Sequence, residues 1–286
     1  MNYAGFYINL DRRVDRRAEI EAELARCGLT DAYMRFSATD GNALGFPNPH
    51  IKSGEMGCFA SHYMLLKQNL DETRPLHIIE DDVIFSSASA QAINGVIDRG
   101  LFGDCDIVYT DVLIPLLNDA YKAYKEFYDA TVTRDKNGNI AKVAFSVVDL
   151  KGLLFGSTSS YMVNKNSIRK LHELYRHEIS NEPRTSNDLF IRRLCHEGAL
   201  KVGCLFPFAT SVRLDHIVET DINRDYHQMS ALAVHLARYS FFVGADMRKC
   251  QEYLDKFMPL PPQTDRHAQI LSHLLAFSLT GNYRSF

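Results

Sequence analysis

Three consecutive acids, Glu80-Asp81-Asp82, close the apolar run Leu76-His77-Ile78-Ile79 and are followed by Val83. The run reads as a strand buried in a sheet that is covered on both faces. Carboxylates crowded at its end raise one another's pKa unless a cation neutralises them. A divalent, oxygen-liking metal is the simplest such cation. A solvated acidic loop after a buried strand is the other reading. A metal held by one or two carboxylates suits a diphosphate-bearing substrate, whose departing charge it neutralises. Similar acids serve phosphatases and nucleotidyltransferases, so they do not by themselves fix the chemistry.

Four further groups carry candidate chemistry. Asn9 to Arg17 sets a polar strand end beside Arg12, Arg13, Arg16 and Arg17. Arginines grip phosphates bidentately, although a solvated helix face is the preferred reading for Arg13. In Gly54-Glu55-Met56-Gly57-Cys58-Phe59-Ala60-Ser61-His62, helical spacing puts Glu55 and His62 on one face. Gly57 there costs about 1 kcal/mol relative to alanine, which points to a close backbone approach or to tight helix–sheet packing. His62 alone reads as a hydrogen-bonded core residue. Asp188 opens a helix, where the dipole favours an acid and where a carboxylate is also placed to act as general base toward a hydroxyl. His216 reads as a surface histidine or as a manganese ligand. Tryptophan is absent, so any sugar-stacking platform comes from Tyr or Phe.

The elements that must position these groups alternate. Gly5 to Leu10 and Tyr33 to Ala38 read as strands, with a helix between them capped by Asp11 or Asp15 and stopped at Gly28. A loop over Asp40 to Lys52 precedes a helix from Glu55 to Leu70. The acidic strand, a helix over Ser89 to Arg99 and a strand over Asp106 to Thr110 follow. The alternation predicts a largely parallel, doubly wound sheet. Ligands bind such sheets beyond the carboxyl ends of the strands, so Asn9 to Asp11, Glu80 to Asp82 and Thr110-Asp111 are expected on one rim. Farther on, Asp135 to Asn139 reads as a hairpin turn between Ala130 to Arg134 and Lys142 to Val148. Leu153 to Val163 reads as a strand holding the small residues Gly156 to Ser160, where a ligand can approach the backbone. Helices are expected over Asn166 to His177 and, capped by Asn187, over Asp188 to His196; a strand spans Leu200 to Phe206. From Tyr226 the pattern is helical, broken at Pro259-Leu260-Pro261-Pro262.

The chain of 286 residues, 46% apolar, suffices for one large domain with an appendage. We expect a catalytic domain over 1–224 and a helical extension over 225–286 packed on it. A net charge of -3 implies no wide basic field, which argues against nucleic acid as a partner. The six scattered cysteines form no CxxC pair and read as free thiols of a reducing compartment. The start of the chain lacks a secretory pattern and no segment looks able to span a bilayer. The expected location is cytoplasmic, with a peripheral position on the inner face of the membrane left open. The helical tail leaves open a homodimer, membrane contact or simple closure of the domain.

Read together, several segments resemble glycosyltransferase family 25, the lipopolysaccharide and lipooligosaccharide group. They are Tyr7-Ile8-Asn9-Leu10-Asp11-Arg12 with Arg16-Arg17, Arg35 to Gly41, Gly54 to Cys58 with Ser61-His62, and Ile79 to Val83. Agreement of order and spacing among independent motifs makes the signal specific. Gly156-Ser157 to Tyr161, Asn187-Asp188-Leu189 and Pro207 with Ser211-Val212 are looser matches. Gly156-Ser157-Thr158 departs from the family's glycine–threonine–tyrosine pattern. The resemblance implies an α/β fold of GT-A type and inverting transfer of a hexose, galactose favoured, from a UDP-sugar donor to a glycan or lipooligosaccharide acceptor. It also implies donor binding by Asn9, Asp11, Arg12, Arg17, Asp40, Glu80, Asp81, Gly156 and Ser157. Mn2+ or Mg2+ would be held by Asp82, Glu80 and His216, with Asp188 as base. A non-catalytic glycan- or nucleotide-sugar-binding module on the same scaffold is the alternative. A phosphoryl-transfer enzyme is a third reading, weakened by the lack of a phosphate-cradling glycine loop with lysine.

Overall fold

The computed structural model describes residues 2–44, 48–131, 133–134, 136, 140–142, 144–217, 228–246, 248–250 and 252. Strand β1 (Ala4–Asn9) is buried along its whole length. Helix α1 (Val14–Arg26) follows and ends before Gly28, whose φ of 66° is the left-handed turn that glycine tolerates. Neither Asp11 nor Asp15 stands at the N-cap of α1: Arg13 does, with no capping bond from its side chain, which pairs with Asp15 instead. Strand β2 (Tyr33–Ser37), helix α2 (Ser53–Gln68) and strand β3 (Leu76–Glu80) come next. The acidic run is shorter as a strand than its apolar residues suggested. Asp81 and Asp82 form a turn into a separate short strand, β4 (Val83–Phe85).

Helix α3 (Ser89–Asp98), strand β5 (Ile107–Leu113) and helix α4 (Leu117–Thr131) continue the alternation. The expected hairpin is narrower: α4 takes up Ala130, and β6 (Thr133–Arg134) pairs antiparallel with β7 (Ile140–Lys142). Most of its turn lies outside the described residues. After β8 (Ser146–Asp149) come β9 (Gly156–Val163), α5 (Ile168–Ser180), α6 (Asn187–His196), β10 (Val202–Phe206), β11 (Thr210–Val212) and α7 (Gln228–Ser240). Ser186, not Asn187, stands at the N-cap of α6, and Asn187 Oδ1 instead accepts a 2.5 Å bond from the Tyr175 hydroxyl. The proline-rich break at Pro259 lies outside the described residues.

The main sheet has the order β2-β1-β3-β9-β5-β10-β8. Strands β2, β1, β3, β5 and β10 share one direction, while β9 and β8 run against them. The sheet is therefore mostly parallel, with one antiparallel strand wedged at its centre between β3 and β5. Helices cover both faces, and the period-2 alternation of strand side chains divides the core accordingly. Ile78, Ile107 and Tyr109 pack with Phe59 of α2, Phe127 of α4, Tyr175 of α5 and Phe190 of α6. Ile79, Val108 and Met162 pack on the other side with Ile20 and Leu24 of α1 and with Ile93 and Val96 of α3. The rings of Phe59, Tyr175 and Phe190 meet one another tilted or edge-to-face, at 4.9–5.1 Å between centroids.

A polar seam runs through this core. Fully buried His77 meets the Tyr33 hydroxyl at Nδ1 (2.6 Å), and Nε2 meets Thr110 Oγ1 (3.1 Å) and Ser160 Oγ (3.2 Å). Burial pushes its pKa down to about 3, so the ring is neutral. All six cysteines are free thiols. Among the described residues no helix is long and apolar enough to cross a membrane.

Candidate active site

The parallel register ends β1 and β3 side by side, with Ile8 opposite Glu80. Beyond those carboxyl ends opens a cleft of about 200 Å3. The turn after β3 contributes Glu80, Asp81 and Asp82; the start of α1 contributes Arg16; the loop after β2 contributes Thr39, Asp40 and Gly41; and α2 contributes Ser53, Cys58 and His62. Arg12 and His216 also line it.

The loop after β2 lies against α2 by backbone packing that only glycine permits. A Cβ on Gly57 would lie 2.6 Å from Gly41 N and 2.7 Å from Thr39 O. The backbone approach expected of Gly57 is thus to the loop after β2. Ser61 ties the same contact: its Oγ accepts from Thr39 N (2.8 Å) and donates to Gly57 O (2.7 Å). Glu55 is absorbed in capping α2, accepting from Lys52 N at 2.8 Å.

The three acids occupy three different environments. Asp81 Oδ2 accepts from Asn9 Nδ2 at 2.7 Å, and its Oδ1 lies 3.4 Å from Arg16. Burial still raises its pKa against those partners. Glu80 is pushed up by desolvation, but His62, Thr158 and Arg238 outweigh that and hold it below the ordinary range. Asp82 Oδ1 is buried without a hydrogen-bond partner. Burial first, then the charges of Glu80 and Asp81, push Asp82 up to about 7. An oxygen-liking divalent cation fits this donor set, because it would satisfy the orphaned oxygen and offset the repulsion.

Other expected residues fall in different places. Arg12 and Asp40 form an ion pair within the lining of the cleft. Asn9 is buried behind it and orients Asp81. Asp11 turns away to Arg35 (2.5 Å) and Ser37 (2.8 Å), and Arg17 pairs with Glu21 (2.9 Å); neither lines the cleft. His216 lines it with Nε2 3.0 Å from Glu19 Oε2. Gly156, Ser157 and Asp188 do meet. Asp188 Oδ2 accepts from Ser157 N (3.1 Å), Oδ1 accepts from Ser186 Oγ (2.6 Å), and a Cβ on Gly156 would lie 2.8 Å from Asp188 Oδ2. Ser157 takes a φ of 73°, a left-handed conformation that costs a non-glycine residue of order 1 kcal/mol or more. Asp188 is not among the lining residues, but Cys58 links the two regions. Its thiol is pushed up by burial and then by the charges of both Glu80 and Asp188.

Asp111 corrects the expectation of a common rim. It lies inside β5, fully buried, with Arg238 of α7 donating to Oδ1 (2.7 Å) and to Oδ2. Arg238 also reaches Ser157 and Ser159. Sequence reasoning missed Arg238 as a member of this neighbourhood and gave no separate role to Cys58 or Thr158, although both lie in segments it singled out. The one signal for Arg238 was a cation interrupting an apolar stretch, the pattern of a charge that pairs inside a core.

The fold and cleft together define a mixed α/β protein with an acid-rich site at the carboxyl ends of parallel strands. Residues 3–185 match the family model described as Glycosyltransferase family 25 (LPS biosynthesis protein), and the chain belongs to that family. Two curated relatives, each named a glycosyltransferase 25 family member, are similar over shorter segments. One from Drosophila pseudoobscura pseudoobscura is 32% identical over 99 residues, covering 28% of this chain and 16% of the relative. One from Anopheles gambiae is 30% identical over 125 residues, covering 36% and 21%. The matched segments thus span only a small part of those longer proteins. Mouse xyloside xylosyltransferase 1 in its apo form aligns over 71% of this chain and 77% of its own, with 9% identity and a TM-score of 0.32.

Proposed function

We propose that this chain is an inverting glycosyltransferase of GT-A type that moves a hexose, galactose favoured, from a UDP-sugar to a glycan such as lipooligosaccharide. The observation that carries this reading is Asp82, which lines a cleft that already holds Asp40, Glu80 and Asp81 and whose Oδ1 is buried and unpartnered. Asp82 and Glu80 would hold Mn2+ or Mg2+, and His216 would join them only by parting from Glu19. The metal, when bound, supplies neutralisation of charge on the diphosphate.

The chain's own residues supply the rest. Arg12 and Arg16 bring positive charge to the cleft where phosphates would lie. Asn9 fixes the Asp81 carboxylate. Asp188, steadied by Ser157 N and Ser186 Oγ, receives the proton of the acceptor hydroxyl. The new bond joins that oxygen to the anomeric carbon as the bond from the anomeric carbon to the diphosphate breaks, and UDP leaves. Inversion follows from a single displacement.

The test is release of UDP from a panel of UDP-sugars, with and without Mn2+. Metal-dependent release that is lost in Asp82→Asn and in Asp188→Asn supports the reading. Thermal stabilisation by UDP with no release from any UDP-sugar and acceptor points to a binding module instead. Stabilisation by ATP alone overturns both.

A further inference from the structure

The wall of the cleft holds donor atoms of a second kind. Cys58 and His62 stand four residues apart on α2, so their side chains share one face of that helix. Glu80, at the end of β3, comes up against that face. Its Oε1 lies 3.6 Å from His62 Nε2 and 3.9 Å from Cys58 Sγ. The three donor atoms all lie within 4.8 Å of one another. A tetrahedral zinc ion bound at about 2.0–2.3 Å spaces its ligand atoms roughly 3.3–3.8 Å apart. The arrangement is therefore a slightly opened version of three corners of such a tetrahedron, closable by small side-chain rotations.

His62 provides the independent sign of a ligand. It is 1% exposed and lines the cleft, yet its Nε2 makes no hydrogen bond and meets the Glu80 carboxylate only at 3.6 Å. Its other nitrogen, Nδ1, is held by the Tyr161 hydroxyl at 2.7 Å. When Nδ1 donates to the Tyr161 hydroxyl, Nε2 is left with the lone pair a cation needs, the way metal-binding histidines are oriented; without a cation, a proton on Nε2 faces the Glu80 carboxylate instead. A histidine serving packing alone would have both nitrogens satisfied. Thr158 Oγ1 donates to Glu80 Oε1 at 3.2 Å and steadies the carboxylate in the same place.

We propose that Cys58, His62 and Glu80 bind a zinc-class divalent cation in the cleft wall, with a fourth position open to the cleft. All three side chains line that cleft, so the vacant corner faces its space. A thiolate, an imidazole and a carboxylate favour zinc over manganese or magnesium, whereas the carboxylates of Asp82 and Glu80 favour the harder ions. Glu80 belongs to both donor sets, so a zinc-class ion here competes for it with a harder ion at Asp82. The site stands on its own geometry and does not depend on sugar transfer.

The experiment is a Co2+ titration of the purified full chain kept reduced with a non-thiol reductant. Its readout is absorption from thiolate-to-cobalt charge transfer. The expected result is a band that saturates at a single cobalt per chain and is displaced by Zn2+. Cys58→Ser abolishes the band and Cys27→Ser keeps it. Asp82→Asn also keeps it, which separates this site from the one proposed for the diphosphate. Tyr161→Phe weakens cobalt affinity by about 10-fold or more, the usual loss when the orienting partner of a metal-binding histidine is removed. Should Cys58→Ser fail to fold, Zn2+ protection of Cys58 from alkylation in the wild-type chain, located by mass spectrometry, gives the same answer. Absence of a thiolate band in the wild type, or its persistence in folded Cys58→Ser, overturns the assignment. So does alkylation of Cys58 at an unchanged rate in Zn2+.

Discussion

Acidification should strain the centre of the sheet through one residue, His77. The ring is fully buried and carries no formal negative partner, only the hydroxyls of Tyr33, Thr110 and Ser160. Burial holds its folded pKa at about 3 against an ordinary value of 6.5. In the unfolded chain His77 takes up a proton below pH 6.5; in the fold it stays neutral until about pH 3. Its burial is therefore harmless above pH 6.5, and stability is lost progressively as pH falls from there toward 3. At about 1.4 kcal/mol per pKa unit the whole window amounts to roughly 5 kcal/mol. Between pH 7.5 and pH 5.0 the same linkage gives about 2 kcal/mol. The assay is urea unfolding at several pH values for the wild type and for His77→Gln, whose amide cannot titrate. The carboxylates contribute equally to both proteins, so the difference between the two stability curves isolates His77. That difference should change by about 2 kcal/mol from pH 7.5 to 5.0, with the variant losing less. Parallel curves would refute the reasoning, because they would mean that His77 charges in the folded sheet at no cost.

Arg238→Met should destabilise the fold by about 3–5 kcal/mol in urea unfolding, since it strands the Asp111 carboxylate inside β5. Asp111→Leu combined with Arg238→Met should recover much of that loss, because the pair leaves together. Gly57→Ala should lower stability by about 1–3 kcal/mol, although alanine is the better helix former. Its Cβ would meet the backbone of Thr39 and Gly41, which cannot swing aside as a side chain tip can; a rise in melting temperature would contradict this. Ser61→Ala should cost about 1 kcal/mol by leaving Thr39 N without its acceptor, again read by urea unfolding.

What the sequence determined about this protein is everything that depends on near neighbours along the chain. Buried runs such as Ala4–Asn9 and Leu76–Glu80 declare themselves by apolar content, and α2 by its spacing, because burial of one face imposes a period on the residues. The family motifs lie in those same elements, so the approach of Asn9 to the Glu80–Asp82 turn followed from parallel strands ending together. Tertiary structure alone decided which partners each group meets. Strand β9 enters the sheet backward between β3 and β5, and nothing in its local pattern distinguishes that from a parallel strand. Asp81 and Asp82 are adjacent and chemically identical, yet one is held by Asn9 and the other has an orphaned oxygen. Asp111 meets Arg238 across 127 residues and leaves the rim for the core. His62 is the hydrogen-bonded core residue that its position suggested, but only the tertiary structure set its partners, Tyr161 on one nitrogen and Glu80 near the other. In each case the outcome rests on desolvation and on a counter-charge or hydrogen bond delivered from a distant segment. Such long-range pairings leave no periodic trace in the chain.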